Sequence, residues 1–162
     1  MSARFEVCSM AGHPEWIEPC AAWWHRQWGE HMGYSIDGAR SAIDSLCAPG
    51  SGQAALAALV DGRPAGSVFL VDQDLDTHRH LTPWLAGLLV QPEFRQLGLG
   101  SKLAVALVEQ SASLGYDTLY LYTTIPGFYE RLRWTIREEL MIHHQTHYVM
   151  ANTGRSASEK TE

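Results

Sequence analysis

Two glycines and an arginine carry the clearest chemical pattern in the chain. The run Val90-Gln91-Pro92-Glu93-Phe94-Arg95-Gln96-Leu97-Gly98-Leu99-Gly100-Ser101-Lys102 joins an apolar, strand-like stretch to an amphipathic, helix-like one. A helix start leaves its first backbone N–H groups without intrahelical acceptors, and the helix dipole favours negative charge there. Gly98 and Gly100 remove side chains, so the backbone can come close to a phosphate, and Arg95 and Lys102 add positive charge at either end. Two common phosphate loops are excluded. A dinucleotide fingerprint needs glycine where Leu103 stands, and G-x-x-x-x-G-K-[ST] is absent. What remains is R-x-x-G-x-G, an anion site of another kind. A second cluster, His143-His144-x-x-His147, suggests a metal at first sight. Near-adjacent residues on a strand point to opposite faces, however, so this cluster reads as a polar turn.

Local patterns supply the elements that must hold the anion loop. A strand is expected over 4–9 and a helix over 14–28, where Ile17, Ala21, Trp24 and Trp28 recur at helical spacing. A second helix runs from Asp37, read as its N-cap, to Leu46, and Pro49-Gly50 stops it. Strands at 53–60 and 64–71 flank Asp61-Gly62, a hairpin signal. Residues 72–82 are polar and read as a surface loop. Residues 84–90 form an almost unbroken apolar run, the pattern of a strand buried on both faces. Leu99, Leu103, Leu107 and Leu114 mark a helix over 98–114 that Gly115 ends. A strand at 117–122, a short helix at 127–133 and strands at 135–141 and 146–150 follow. The order β-α-α-β-β-β-α-β-α-β-β gives one α/β (α+β) domain over 1–151 with a mixed sheet. The Ser-, Thr- and Gly-rich segment 152–162 reads as a frayed, flexible tail.

The central and C-terminal two-thirds of the chain resemble the GNAT superfamily, whose acetyl-coenzyme A loop reads [QR]-x-x-G-x-[GA] just after its fourth strand. Leu88-Leu89-Val90-x-Pro92 matches the strand ending before that loop, and Tyr116-Asp117-Thr118-Leu119-Tyr120-Leu121 matches the fifth strand. Phe128-Tyr129-Glu130-Arg131-Leu132-Arg133-Trp134 is similar to the family's F-Y-x-x-L-G-[FWY] helix. Arg133 stands where that motif has glycine, so the turn out of this helix is expected to differ.

The resemblance implies a mostly antiparallel sheet of six to seven strands with about four helices, acetyl-coenzyme A as co-substrate and no metal. It implies that the N–H groups of Gln96, Leu97, Gly98, Leu99, Gly100 and Ser101 hold the coenzyme pyrophosphate, aided by Arg95 and Lys102. Leu88, Leu89 and Val90 would pair with the pantetheine arm, one N–H polarising the thioester carbonyl. Tyr129 would act as general acid toward the departing thiolate. A base for the acceptor amine is needed, and the fourth strand carries no acid; Asp72, Asp74, Asp76, His78, His80, Glu30 and His31 are all candidates. Trp23, Trp28 and Trp84 are candidates for the acceptor wall. The acceptor is a small-molecule amine such as an aminoglycoside or polyamine, or alternatively a peptide N-terminus. A module that binds coenzyme A without catalysis is the reading from a different class. The family also implies a homodimer.

Bulk composition sets outer limits. The 162 residues are 46% apolar and 19% charged, ordinary for one globular domain. A formal charge of −6 disfavours nucleic acid and suits a cationic substrate. No stretch approaches the roughly 20 apolar residues of a membrane span, and Met-Ser-Ala-Arg-Phe-Glu has no signal pattern, so a cytoplasmic location is expected. Cys8, Cys20 and Cys47 are widely spaced and odd in number, which argues for free thiols.

Overall fold

The Asp61-Gly62 hairpin closes with both residues left-handed, at φ 50° and 80°, as a type I′ turn requires. It joins β2 (Ala54–Val60) to β3 (Arg63–Val71) in a computed structural model that describes residues 2–154. The other strands are β1 (Phe5–Ser9), β4 (Trp84–Val90), β5 (Leu119–Thr123), β6 (Thr135–Ile142) and β7 (Gln145–Asn152). Together they form one seven-stranded sheet in the order β1-β2-β3-β4-β5-β7-β6. All neighbours are antiparallel except β4 and β5. His143 and His144 take left-handed backbone angles at the β6–β7 turn, as the polar-turn reading required.

Alternation along the strands divides the core into two layers. Leu56, Ala58, Val68, Leu70, Leu119 and Leu121 point to one face, where α3 (Leu99–Ser113) buries Leu103, Ala104 and Leu107. The short α4 (Pro126–Glu130) packs Phe128 and Tyr129 on the same face. Ala55, Ala57, Leu59 and Phe69 point the other way, against α1 (Pro14–Trp24) and α2 (Ile36–Leu46). Each large aliphatic side chain buried in this way contributes about 1.5–3 kcal/mol. Leu114, assigned by its spacing to the buried stripe, lies past the end of α3 and is exposed.

Three local expectations change. The cap of α2 is Ser35, whose Oγ accepts from the Gly38 N–H at 3.0 Å; Asp37 sits inside the first turn. A π-helical turn, His25–Gly29, extends α1, with the Glu30 N–H reaching back to His25 O. This wider turn re-aims Trp28 relative to Trp24. At the C-terminus β7 continues to Asn152, which is buried; the rest of the expected tail, from 155 on, lies outside the described residues.

β4 departs most from expectation. Only Trp84 and Leu85 are buried, and residues 86–90 are half-buried. The cause is topological. β4 pairs with β3 along its length but with β5 at one position only, Trp84 opposite Tyr120. Beyond it the two parallel strands part. On the β3 side Ser67 faces Leu89 and Phe69 faces Ala86, so Val68 opposes both Gly87 and Leu88 in a β-bulge. Gly87 is left-handed at φ 62°, and a β-carbon there would run into the Phe69 ring. The bulge also keeps Leu85, Leu88 and Val90 on the α3 face despite their odd spacing.

Gly87→Ala therefore combines a left-handed penalty of roughly 1–2 kcal/mol with overpacking of about 1–3 kcal/mol. Urea unfolding of the variant is expected to show a loss of about 2–5 kcal/mol. A loss under about 0.5 kcal/mol would show that the strand can straighten without harm.

Candidate functional site

The gap between β4 and β5 opens through the sheet and connects its two faces. Beyond Trp84 and Tyr120 the facing edges of both strands have no strand partner, and such backbone groups bond to water or to a ligand. α3 follows the C-terminal end of β4 and α4 follows that of β5, so both helices begin at the open end of the gap. Their contact is direct there: a β-carbon on Gly100 would lie 3.5 Å from Phe128 and 4.0 Å from Val90.

The loop into α3 is shaped for an anion. Gln96 and Gly98 are both left-handed, at φ 66° and 78°, an alternation that turns successive N–H groups into a concavity. Gly98 is the N-cap of α3 and offers no capping side chain. The first N–H groups of the helix, at Leu99, Gly100 and Ser101, are therefore left for an outside acceptor. Arg95 Nε donates to Val90 O at 3.0 Å, fastening the loop to the end of β4 with the rest of the guanidinium in solvent. Lys102 behaves differently from expectation. Its ammonium lies over the Phe5 ring at 5.0 Å, on the β1 side of the helix, instead of facing the loop.

Tyr129 is buried on α4, edge-on to Phe128 at 4.9 Å and to Trp134 at 5.9 Å. Burial pushes its pKa up to about 12, so it remains a donor at neutral pH. The turn after α4 forms without glycine. The Trp134 N–H bonds to Tyr129 O at 3.1 Å and the Arg133 N–H to Glu130 O at 3.1 Å. These are the two bonds of a Schellman cap, with Arg133 left-handed at φ 72°.

On the opposite face, Tyr120 and Tyr122 alternate with Leu119 and Leu121. Tyr122 lies 6.3 Å from the Trp84 ring and 5.8 Å from that of His147 on β7. Its hydroxyl is held back from ionising first by burial and then by the charges of Asp74 and Asp76. These two carboxylates belong to the β3–β4 loop, where Asp76 also pairs with Arg79 at 3.8 Å. Asp74 is an exposed residue, and the partial desolvation of its carboxyl pushes its pKa up to about 7. Retained water screens this effect, so the titration is to be sought at or somewhat below that value.

The loop is fixed by a histidine that sequence reading placed in solvent. His78 is 7% exposed. Its Nε2 lies 2.8 Å from Glu138 Oε1 on β6, and its Nδ1 lies 2.7 Å from Thr77 Oγ1. A carboxylate only accepts, so Nε2 carries a proton; in the neutral ring Nδ1 then accepts from the Thr77 hydroxyl. Both nitrogens are engaged, which makes His78 a fastener of the loop and removes it as a free base. His80 stacks on it at 5.7 Å and is exposed.

The remaining candidates fall away from this cluster. Asp72 is exposed at the end of β3, where its N–H bonds to Gln53 Oε1. Glu30 and His31 are exposed on the turn after the π-helical segment. Trp84 is wholly buried, with Nε1 donating to Leu81 O at 2.8 Å, so it supports the site from beneath and lines no acceptor wall. Trp23 packs with Trp16 and Trp24 on the α1–α2 core; Trp28 is half-buried on the π-helical turn. Sequence reading missed Tyr122, His147 and Glu138. The period-two tyrosines of Tyr120-Leu121-Tyr122 were a usable signal for the first, and Glu138 had none.

The fold has counterparts among known proteins. Residues 16–133 match the family model described as "Acetyltransferase (GNAT) family". An aminoglycoside 6′-acetyltransferase type Ii superposes with a TM-score of 0.72 at 21% identity, covering 93% of this chain and 98% of that one. An aminoglycoside 6′-N-acetyltransferase complexed with coenzyme A gives 0.73 at 18% identity, with the same two coverages. A GNAT-family acetyltransferase from Streptococcus pneumoniae gives 0.73 at 16%, covering 92% and 98%. No curated protein matches the sequence.

Gly98→Ala tests the anion loop. The space around Gly98 is open, so the cost is conformational, about 1–2 kcal/mol for the left-handed backbone. Titration calorimetry with coenzyme A is expected to show binding weakened about tenfold. Unchanged affinity would mean that the left-handed turn does not shape the anion site.

Proposed function

Since this chain belongs to the GNAT acetyltransferase family and is an acyltransferase, we propose that it moves an acetyl group from acetyl-coenzyme A directly to a primary amine of a small cationic molecule, an aminoglycoside or a polyamine. The observation that carries the acceptor half of this reading is that the charges of Asp74 and Asp76 bear on Tyr122. They lie across the sheet from the anion loop and Tyr129. A protonated amine approaching from that face meets carboxylates, and the chain as a whole carries −6.

The parts fit a coenzyme A thioester. The uncapped start of α3 suits a pyrophosphate, and the unpaired edge of β4 at Leu88, Leu89 and Val90 suits an extended arm with amide groups. In the transfer, the amine nitrogen bonds to the acetyl carbon and the carbon–sulfur bond breaks. Asp74 takes the ammonium proton, directly or through water, and so makes the amine a nucleophile. Tyr129 donates a hydrogen bond to the sulfur as negative charge collects there. A phenol at about 12 is a weaker acid than a thiol at about 8.5. Tyr129 thus steadies the thiolate by hydrogen bonding; the attacking nitrogen gives up its second proton to solvent as the amide forms, and solvent protonates the thiolate.

The relatives named above support the choice of acceptor class, since two of them act on aminoglycosides by their own descriptions. Thiol release from acetyl-coenzyme A is the direct test, run against aminoglycosides, polyamines and peptides with free N-termini. Release stimulated only by peptides would overturn the small-amine reading. Binding without release for any acceptor would point to a coenzyme-binding module.

Tyr129→Phe is expected to lower kcat about 100-fold while leaving the dissociation constant of acetyl-coenzyme A about unchanged. Equal turnover in the variant would remove Tyr129 from the chemistry. Asp74 has a pH signature. A carboxyl raised to about 7 is neutral below that pH and becomes a base above it, so kcat/KM should climb as pH rises through this region. In Asp74→Asn that limb should disappear, with activity at pH 8 lower by about 100-fold. A variant that keeps the same limb would show that another group titrates.

A further inference from the structure

The β3–β4 loop is anchored far from the strands that it joins. In the sheet β6 stands three strands beyond β4, about 14 Å away at the spacing of paired strands, yet His78 reaches Glu138 on β6. Tyr122 opposes Val149 on β7, and Val149 in turn opposes Glu138. Directly opposed residues share a face of the sheet, so the loop crosses β5 and β7 on the face that carries Tyr122. Val149 belongs to neither of the two core layers and is still only 1% exposed. A strap lying over it accounts for that burial.

Within the strap the chain is closed on itself. Gln73 Nε2 donates to Arg79 O at 3.0 Å, and the His78 N–H bonds to Leu75 O at 2.9 Å. Asp74 and Asp76 fall inside this closed segment, which also contains the 3₁₀ turn Asp76–His78. The segment is tied at its start, where the Asp72 N–H meets Gln53 Oε1. The hydrogen bond from His78 to Glu138 ties it across the sheet. A general base must stand within about 2.6–3.2 Å of the proton that it takes. An exposed loop holds such a distance only when other groups fix it.

We propose that His78 and Glu138 are positioning residues of the transfer reaction, clasping the β3–β4 loop to β6 so that Asp74 is held at the acceptor site. The inference rests on the reading of Asp74 as the base toward a small amine. His78 suits a clasp because both ring nitrogens are engaged, one by a carboxylate and one by a hydroxyl, and the ring cannot turn without losing a bond. Glu138 is half in solvent, so a substitution there empties no core position.

Limited trypsin digestion tests the clasp without turnover, because Arg79 is exposed on the strap. Cleavage after Arg79, followed by mass spectrometry, is expected to be about tenfold faster in Glu138→Ala and in His78→Ala. Glu138→Gln keeps an oxygen acceptor for the Nε2 proton and should stay near the wild-type rate. Thiol release from acetyl-coenzyme A, with kanamycin or spermidine as the amine, tests the consequence. In Glu138→Ala, kcat/KM for the amine should fall roughly 10- to 100-fold, with coenzyme A affinity by calorimetry unchanged, and Glu138→Gln should restore it. In an Asp74→Asn background the same Glu138→Ala change should cost no more than about twofold, because no base is left to position. A merely structural role would cost the same in both backgrounds. Equal cleavage rates in all variants would overturn the proposal and leave the acetyltransferase reading standing. So would full activity in Glu138→Ala, or a loss undiminished in Asp74→Asn. A wild-type protein that releases thiol with neither amine would overturn the small-amine reading and the positioning role together.

Discussion

A single strand pairing governs the rest of the molecule. Trp84 and Tyr120 hold β4 and β5 together at one position, and from there the strands diverge. Two parallel edges left open inside a sheet are costly, because their N–H and C=O groups lose the partners that neighbouring strands supply. The fold maintains the opening from both sides. Trp84 is buried as a pivot against the Tyr120 ring at 5.9 Å and is anchored through its indole to Leu81 O. The bulge at Gly87 then re-aims the free half of β4 while preserving its apolar face toward α3. The gap is thus a built feature that passes through the sheet, and in the proposed reaction it would admit one reactant from each face.

The two faces are tuned in opposite electrostatic senses. On the α3–α4 face, an uncapped helix start and exposed arginines favour anions. On the other face, the β3–β4 loop carries aspartates toward Tyr122. Burial acts on the key side chains of both faces and raises both pKa values, yet the consequences differ. Tyr129, raised to about 12, is kept as a hydrogen-bond donor throughout the working range. Asp74, raised to about 7, is brought from a fully ionised group to one that can both hold and release a proton near neutrality. One physical cause, desolvation, nearly complete at Tyr129 and partial at Asp74, suits one group to donate and the other to accept.

Legibility in the sequence followed the distance over which each feature is encoded. The hairpin at Asp61-Gly62, the start of α3 and the Phe128-Tyr129 helix are written in contiguous residues, and their positions could be read directly. The proposed acceptor face is assembled from Asp74, Tyr122, Glu138 and His147, which belong to four separate segments, and no local pattern joins them. The hydrogen bond from His78 to Glu138 spans 60 positions of sequence, so the polar stretch 72–82 looked solvated when one of its histidines is interior. β4 failed in the reverse direction. An unbroken apolar run normally means burial on both faces, and only the topology reveals that one edge of this strand has lost its neighbour. Lys102 shows a third limit: its charge belongs to the phosphate loop in sequence, but Phe5, from the far end of the chain, draws it away.

Backbone strain points to the anion loop. Of the non-glycine residues with left-handed angles, Asp61, His143 and His144 sit in hairpin turns, where two-residue loops demand that conformation. Arg133 has a local reason too, since it stands at the left-handed position of the Schellman cap that ends α4. Gln96 is in neither a hairpin nor a helix cap. Glutamine does not favour a positive φ, and the position forfeits roughly 1–2 kcal/mol relative to glycine. Its side chain is exposed, so packing does not offset the loss. The turn is accounted for if it serves to aim the backbone before the first N–H groups of α3 at an anion.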